Sequence, residues 1–141
     1  LELTGKKEPA DGLQSKFSVY HGCAVGLIVG HAGEHEFSDQ LVNRPDVVEL
    51  RRKIIATVDN AVDEAAADVT ALLTDGRREH VLVEHAIGSL QRPMSDSQLE
   101  IKFSALSDPV LGRDRTSALL AAAWKIGDAA DVRSLAALAR P

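Results

Sequence analysis

Apolar side chains recur at helical spacing in the first third of the chain. Five of them follow the i, i+3, i+4, i+7, i+8 spacing of an amphipathic helix: Tyr20, Cys23, Ala24, Leu27 and Ile28. With Ser18 as N-cap and Gly30 at the end, this spacing predicts a helix over Val19–Val29. Gly22 and Gly26 share one face of it, and an interior glycine costs about 1 kcal/mol relative to alanine. We therefore expect another backbone to approach that face closely.

The pattern changes from helix to strand in the middle of the chain. Arg44-Pro45 opens a second predicted helix over residues 45–53, because proline is favoured at the first helical position. Residues 54–58 are mainly β-branched and stop at Asp59-Asn60, which predicts a strand. Residues 68–73 and 78–85 flank an Asp-Gly turn and predict a β-hairpin.

Three helices are predicted downstream. A capping box of Ser95 and Gln98 starts the first, a stripe from Thr116 to Trp124 marks the second, and Asp131 precedes the last. The order is thus helices, three strands and helices. It predicts an α+β fold in which a small antiparallel sheet, the hairpin plus a further strand, is covered by helices in two layers.

Composition and charge narrow the function classes. The 141 residues carry a net charge of −5 without a basic stripe, which disfavours nucleic-acid binding. The uncharged run of residues 22–30 is far shorter than the roughly 20 apolar residues of a membrane span. The start shows no secretory signal pattern, and Cys23 is the sole cysteine, so it cannot form an internal disulfide. We expect a cytoplasmic protein with no membrane partner.

Polar side chains crowd the start of the first predicted helix. Lys16, Ser18, Tyr20 and His21 lie where backbone N–H groups and the helix dipole attract carboxylates. Lys16 could hold a substrate carboxylate, while His21 and Tyr20 could transfer protons. A capped helix with a polar start has the same pattern. Spacing alone favours this structural interpretation.

Two other motifs have weaker functional interpretations. His31 to His35 matches the H-x-x-E-H order of some zinc enzymes, but that chemistry needs a continuous helix, and Gly30 and Gly33 interrupt this stretch. A solvated turn without metal is the preferred interpretation. Arg92 lies in the loop before the capping box and could pair with a carboxylate, although a connecting loop with a surface arginine explains it equally.

Several ordered blocks carry a resemblance to a known family. The blocks are KFSVYHGCAVGLI, EFSDQLVNRPDVVELRRKI, LTDGRREHVLVEHAIGSLQRPMS, LEIKF and ADVRSLAAL. From about Leu13 onward the chain resembles the C-terminal domain of the MmgE/PrpD family of 2-methylcitrate dehydratases and related decarboxylases and epimerases. The resemblance implies proton transfer next to a carboxylate of a small polycarboxylate such as 2-methylcitrate, without a metal or organic cofactor.

The resemblance also implies a domain organisation. Residues 1–14 would be a linker from a missing N-terminal helical domain, and residues 15–141 would be the smaller domain that closes over it as a lid, usually within a homodimer. The isolated chain would then be inactive. The alternative is a free-standing α+β module for ligand binding or dimerisation, since fold does not dictate function.

Site residues follow from two family motifs. The K-F-S-x-x-[YH] block falls on Lys16, Ser18 and His21. Some relatives carry tyrosine at the position of His21, so Tyr20 is an alternative acid or base. The G-x-x-x-x-P-[LM]-S loop places Arg92 towards the substrate.

Overall fold

The computed structural model describes residues 2–141. They form two units, and the boundary between them in the sequence falls between Asn60 and Ala61. The first unit is helical. Its elements are α1 (Gly12–Ser15), α2 (Val19–Val29), a 3-10 turn (His35–Phe37), α3 (Asp39–Val42) and α4 (Pro45–Lys53).

Helix α2 has the bounds that its apolar spacing predicts. The Ser18 hydroxyl accepts a hydrogen bond from the His21 N–H at 3.1 Å, which satisfies one of the free donors of the first turn. Gly30 ends the helix with a φ of 89°, a left-handed conformation that glycine adopts without a Cβ clash. Both predicted ends of α2 are therefore confirmed.

The core of the first unit lies between α2 and α4. Ala24 and Val25 of α2 are fully buried against Val47 of α4. Partly buried apolar side chains complete this core: Ile28, Leu50 and Ile54. Pro45 occupies the first turn of α4, as predicted, where its missing N–H leaves no helical bond unmade.

The segment before α2 is hydrogen-bonded to the start of that helix. The Val19 N–H donates to the Thr4 carbonyl at 2.9 Å, and Gly5 forms an isolated bridge with Ser18. Gly12 packs so closely that a Cβ there would lie 2.3 Å from the Phe37 carbonyl oxygen. The expectation that residues 1–14 are an interdomain linker stays a prediction.

The second unit contains the predicted hairpin and three helices. Strands β1 (Ala67–Leu72) and β2 (Arg78–Val83) pair antiparallel, with Val69 opposite Val81. The remaining elements are α5 (Asp96–Leu111), α6 (Arg113–Trp124), a 3-10 turn (Ile126–Asp128) and α7 (Arg133–Leu138). The capping box at the start of α5 is confirmed. Helices with a small antiparallel sheet confirm the α+β class.

The prediction of a further strand at residues 54–58 is wrong. Residues 55–58 have no strand conformation, and Ile55 and Val58 are exposed. β-Branched side chains favour a strand only where a neighbouring strand satisfies the backbone, and the described sheet has two strands, β1 and β2. Ile54 instead ends α4 and packs against the core.

The close approach expected at Gly22 and Gly26 is also wrong for the described chain. A Cβ added to either glycine would meet no heavy atom within 4 Å. The core of this unit forms through Ala24 and Val25 of α2. Sequence reasoning located the glycine face, but it could not say which face of an apolar helix packs.

Large apolar side chains of the second unit remain at the surface. Most side chains of both strands are exposed, so helices do not bury the hairpin as the two-layer arrangement implied. Helix α5 has no buried side chain, and Trp124 of α6 is 52% exposed. None of the helices within residues 2–141 is both long and apolar enough to cross a membrane.

Gly12, which is closely packed, and Gly26, which faces open space, give a matched test of stability. We expect G12A to lower the free energy of unfolding by about 1–3 kcal/mol, because its Cβ would collide with the Phe37 carbonyl. G26A should raise this free energy by about 0.5–1 kcal/mol, because alanine favours the helix and the space is open. Urea unfolding of the three proteins measures both changes, and equal effects of the two substitutions would contradict the packing described.

Candidate functional site

An exposed ion pair joins a residue just before α2 to a residue in the segment that follows this helix. The Lys16 ammonium is 2.8 Å from the Glu34 carboxylate, and the two side chains are 44% and 63% exposed. Lys16 is thus the accessible cation of the predicted site residues at this helix. Its charge is already compensated by a carboxylate of the same chain.

Two N–H donors of the first turn of α2 are engaged within the protein. The Val19 N–H donates to the Thr4 carbonyl, and the His21 N–H donates to the Ser18 hydroxyl. Ser18 is buried. These bonds give the N-terminus of α2 the capped structure that spacing alone had favoured, and they leave Lys16 as the group best placed to meet an anion.

The His21 side chain is fully buried and both of its ring nitrogens have partners. Nε2 lies 2.8 Å from the Glu36 carbonyl oxygen, and Nδ1 lies 3.5 Å from Nη1 of Arg51. A carbonyl only accepts and a guanidinium only donates. His21 is therefore a neutral imidazole that carries its proton on Nε2.

Electrostatics favours the same neutral form. Burial away from water lowers the pKa of His21, and the nearby positive charge of Arg51 lowers it further, while the bond to the Glu36 carbonyl acts in the opposite direction. The edge of the imidazole also packs against Phe37, with ring centroids 5.3 Å apart. His21 thus joins α2 to the turn that carries Glu36 and Phe37.

Arg51 closes this buried network from α4. It is 4% exposed, and its Nη1 also donates to the Val42 carbonyl at 3.1 Å. Its Nε has no hydrogen-bond partner among the described residues. Desolvation lowers the pKa of Arg51 from its usual high value. One guanidinium therefore contacts both α2, through His21, and the end of α3.

A buried carboxylate shapes the turn between α2 and α3. The Glu36 side chain is 4% exposed and accepts hydrogen bonds from the Gly33 N–H at 2.8 Å and from His31 Nδ1 at 3.0 Å. The zinc interpretation required residues 31–35 to form a helix, and residues 31–33 are not helical. His31 contacts Glu36 instead, and no metal-ligand cluster occurs within residues 2–141.

The other predicted residues have different environments. Tyr20 is 9% exposed, with the Lys7 ammonium 5.7 Å from its ring centroid. Cys23, on the apolar stripe of α2, is partly buried, and burial raises its pKa. Neither position has the open surroundings of a reactive nucleophile.

Arg92 belongs to the second unit, apart in sequence from the other four predicted site residues. Its backbone carbonyl accepts from the Gly88 N–H at 2.8 Å and its own N–H contacts Ser89, so the loop closes on itself. Gly88 has a φ of 95° and lies against Met94. The Arg92 side chain is exposed.

Lys16, Ser18, Tyr20 and His21 lie close together in the chain at the start of α2, but their side chains have separate partners. Sequence reasoning missed Glu36 and Arg51. Arg51 had a signal, because it follows the buried Val47 by one helical turn and so falls on the apolar face of α4. Glu36 lies outside any periodic segment, and its burial could not be read from the sequence.

The fold places the chain among small, mainly helical α+β domains. Comparison with known proteins specifies the family: the chain belongs to the MmgE/PrpD C-terminal domain family, whose model matches residues 1–126. It is also 30% identical over 142 residues to cis-aconitate decarboxylase from Mus musculus, an alignment that covers 98% of this chain. The chain spans 29% of the length of that relative.

The buried imidazole predicts how stability depends on pH. Because the pKa of His21 is lowered in the folded state, the unfolded chain binds a proton at a pH where the folded chain does not. The free energy of unfolding should fall as the pH drops below about 6.5, and this decline should level off below the folded-state pKa. Urea titrations between pH 7.5 and 4.5 measure the effect.

H21Q provides the control for this titration, since glutamine does not ionise. The difference in unfolding free energy between wild type and H21Q should shrink as the pH falls through this window. Parallel curves would contradict the assignment. If H21Q does not fold, an NMR titration of the wild-type imidazole tests the same point, and a pKa at or above 6.5 is the contrary result.

Proposed function

We propose that this chain is the C-terminal domain of a lyase or epimerase that acts on a small polycarboxylate such as 2-methylcitrate. The proposed reaction begins with removal of a proton next to a carboxylate and needs no metal or organic cofactor. The observation that carries the proposal is the family match over residues 1–126. Similarity to a protein named cis-aconitate decarboxylase supports it.

Lys16 is the proposed anchor for one substrate carboxylate. Its ammonium is partly exposed and already binds a carboxylate, that of Glu34, at 2.8 Å. Hydrogen bonds between ionised partners are shorter and stronger than those between neutral groups. Ser18, also proposed to bind substrate, caps α2 two residues after Lys16. Arg92, exposed on its own loop, is proposed as a further substrate-binding residue.

His21 and Tyr20 are the proposed acid–base residues. The lowered pKa of His21 keeps the imidazole neutral near pH 7, which is the form that accepts a proton. Both ring nitrogens are bonded inside the protein in the present geometry. Because the imidazole carries its proton on Nε2, an incoming proton must bind Nδ1. Proton acceptance by His21 therefore requires Arg51 to move away from Nδ1, whereas Tyr20 would act from the adjacent position.

We further propose that the chain serves as a lid over an N-terminal helical domain of a homodimeric, cytoplasmic enzyme. The exposed apolar side chains of the second unit support a role in association. They include Ile101 and Val110 of α5 and Trp124 of α6, which are more than half exposed. A chain with this role would be inactive by itself.

The same exposed side chains also favour the second candidate, a free-standing module for binding or dimerisation. The two candidates differ in what the full gene product encodes. Several hundred mainly helical residues upstream of Leu1 would favour the enzyme, and a start codon directly before Leu1 would favour the module.

Substrate profiling tests the enzyme directly. We expect the full-length protein to convert at least one member of a panel of di- and tricarboxylates. NMR of the substrate carbons measures the conversion, and NMR also measures proton exchange with solvent. The 141-residue chain alone should convert none of them. Turnover by the isolated chain at the full-length rate would contradict the lid assignment.

Lys16 has a matched control in Lys53, which also pairs with an exposed glutamate, at 2.7 Å. We expect K16Q in the full-length protein to raise KM about 10- to 100-fold, the usual scale for losing a hydrogen bond to a charged group. K53Q should leave KM unchanged. Equal KM values for the two variants would remove Lys16 from the substrate site.

A further inference from the structure

The carboxylate that pairs with Lys16 comes from a turn that is fixed from the protein interior. Glu34 directly precedes the 3-10 turn at His35–Phe37, and it is 18 residues away from Lys16 in sequence. Side chains that pair on a mobile surface lose rotamer freedom in doing so. The backbone on both sides of Glu34 is held by the buried contacts of Gly33 and Glu36.

Two buried groups hold this turn. The Glu36 carboxylate accepts the Gly33 N–H at 2.8 Å, which closes the turn around Glu34. The Glu36 carbonyl accepts the His21 Nε2–H at 2.8 Å, which ties the turn to α2. Glu34 and Lys16 are therefore attached to the same helix start from two sides.

We propose that Glu34 occupies Lys16 as an internal carboxylate, which a substrate carboxylate must displace in order to bind. The inference rests on the proposed function of Lys16. A ligand would exchange one ion pair for another. Its net gain in binding free energy at Lys16 is therefore smaller than at an unpaired ammonium. Displaced Glu34 also adds a negative charge beside the bound anion.

Neutralising Glu34 should therefore strengthen anion binding. Exposed ion pairs contribute little individually, so the expected effect of E34Q is a decrease of about two- to fivefold in the dissociation constant of an anionic ligand. The effect should diminish at high ionic strength, because salt screens exposed charges. A structural role for Glu34 predicts the opposite sign, since loosening the turn would weaken the site.

Citrate is a suitable probe because it carries three carboxylates. Its dissociation constant is measured by titration calorimetry on the full-length protein and on the variants E34Q, E49Q, K16Q and K16Q/E34Q. Glu49 is the matched control, because it forms an exposed pair with Lys53 at 2.7 Å. We expect tighter binding in E34Q, unchanged binding in E49Q, and equally weak binding in K16Q and the double variant.

Other outcomes overturn the inference. The first is an affinity of E34Q for citrate that equals or falls below that of E49Q. The second is a gain in affinity from E34Q that also occurs in the K16Q background. The third is failure of the wild type to bind citrate. The proposed function fails separately, when the wild type converts no polycarboxylate in the profiling assay. If E34Q still bound citrate more tightly than the wild type, the role of Glu34 as an internal carboxylate would stand although the enzyme activity had failed.

Discussion

The first unit depends on one buried imidazole. His21 is fully enclosed, donates from Nε2 to the Glu36 carbonyl and accepts from Arg51 at Nδ1. These bonds connect α2 to the following turn and to α4, beside the core cluster of Ala24, Val25 and Val47. Because an unpaired buried polar group costs about 1–3 kcal/mol, this network constrains the relative placement of those elements.

The same constraint reaches the surface at Lys16. His21 and the Glu36 side chain hold the turn that presents Glu34, and Glu34 pairs with Lys16 at 2.8 Å. A buried neutral histidine and an exposed ion pair are thus parts of one arrangement. His21 acts in this geometry as a positioning residue, and acceptance of a proton by His21 requires Arg51 to move away from Nδ1.

The second unit has a different balance between local and tertiary stabilisation. The hairpin turn and the capping box of α5 are set by local sequence, and both form as predicted. Few side chains there are buried, and Thr116 and Leu119 of α6 are the main ones. Local signals therefore define its elements, whereas many of its large apolar side chains remain exposed.

The sequence by itself determined the bounds of α2 and α4, the start of α5, the hairpin and the family, because caps, turn residues and ordered motifs act over a few neighbouring positions. It misplaced a strand at residues 54–58, since a strand also needs a partner that only the folded chain supplies. Tertiary structure alone decided that His21 is buried and that Glu34 meets Lys16. Both depend on contacts between residues 15 or more positions apart, which spacing along one helix cannot encode.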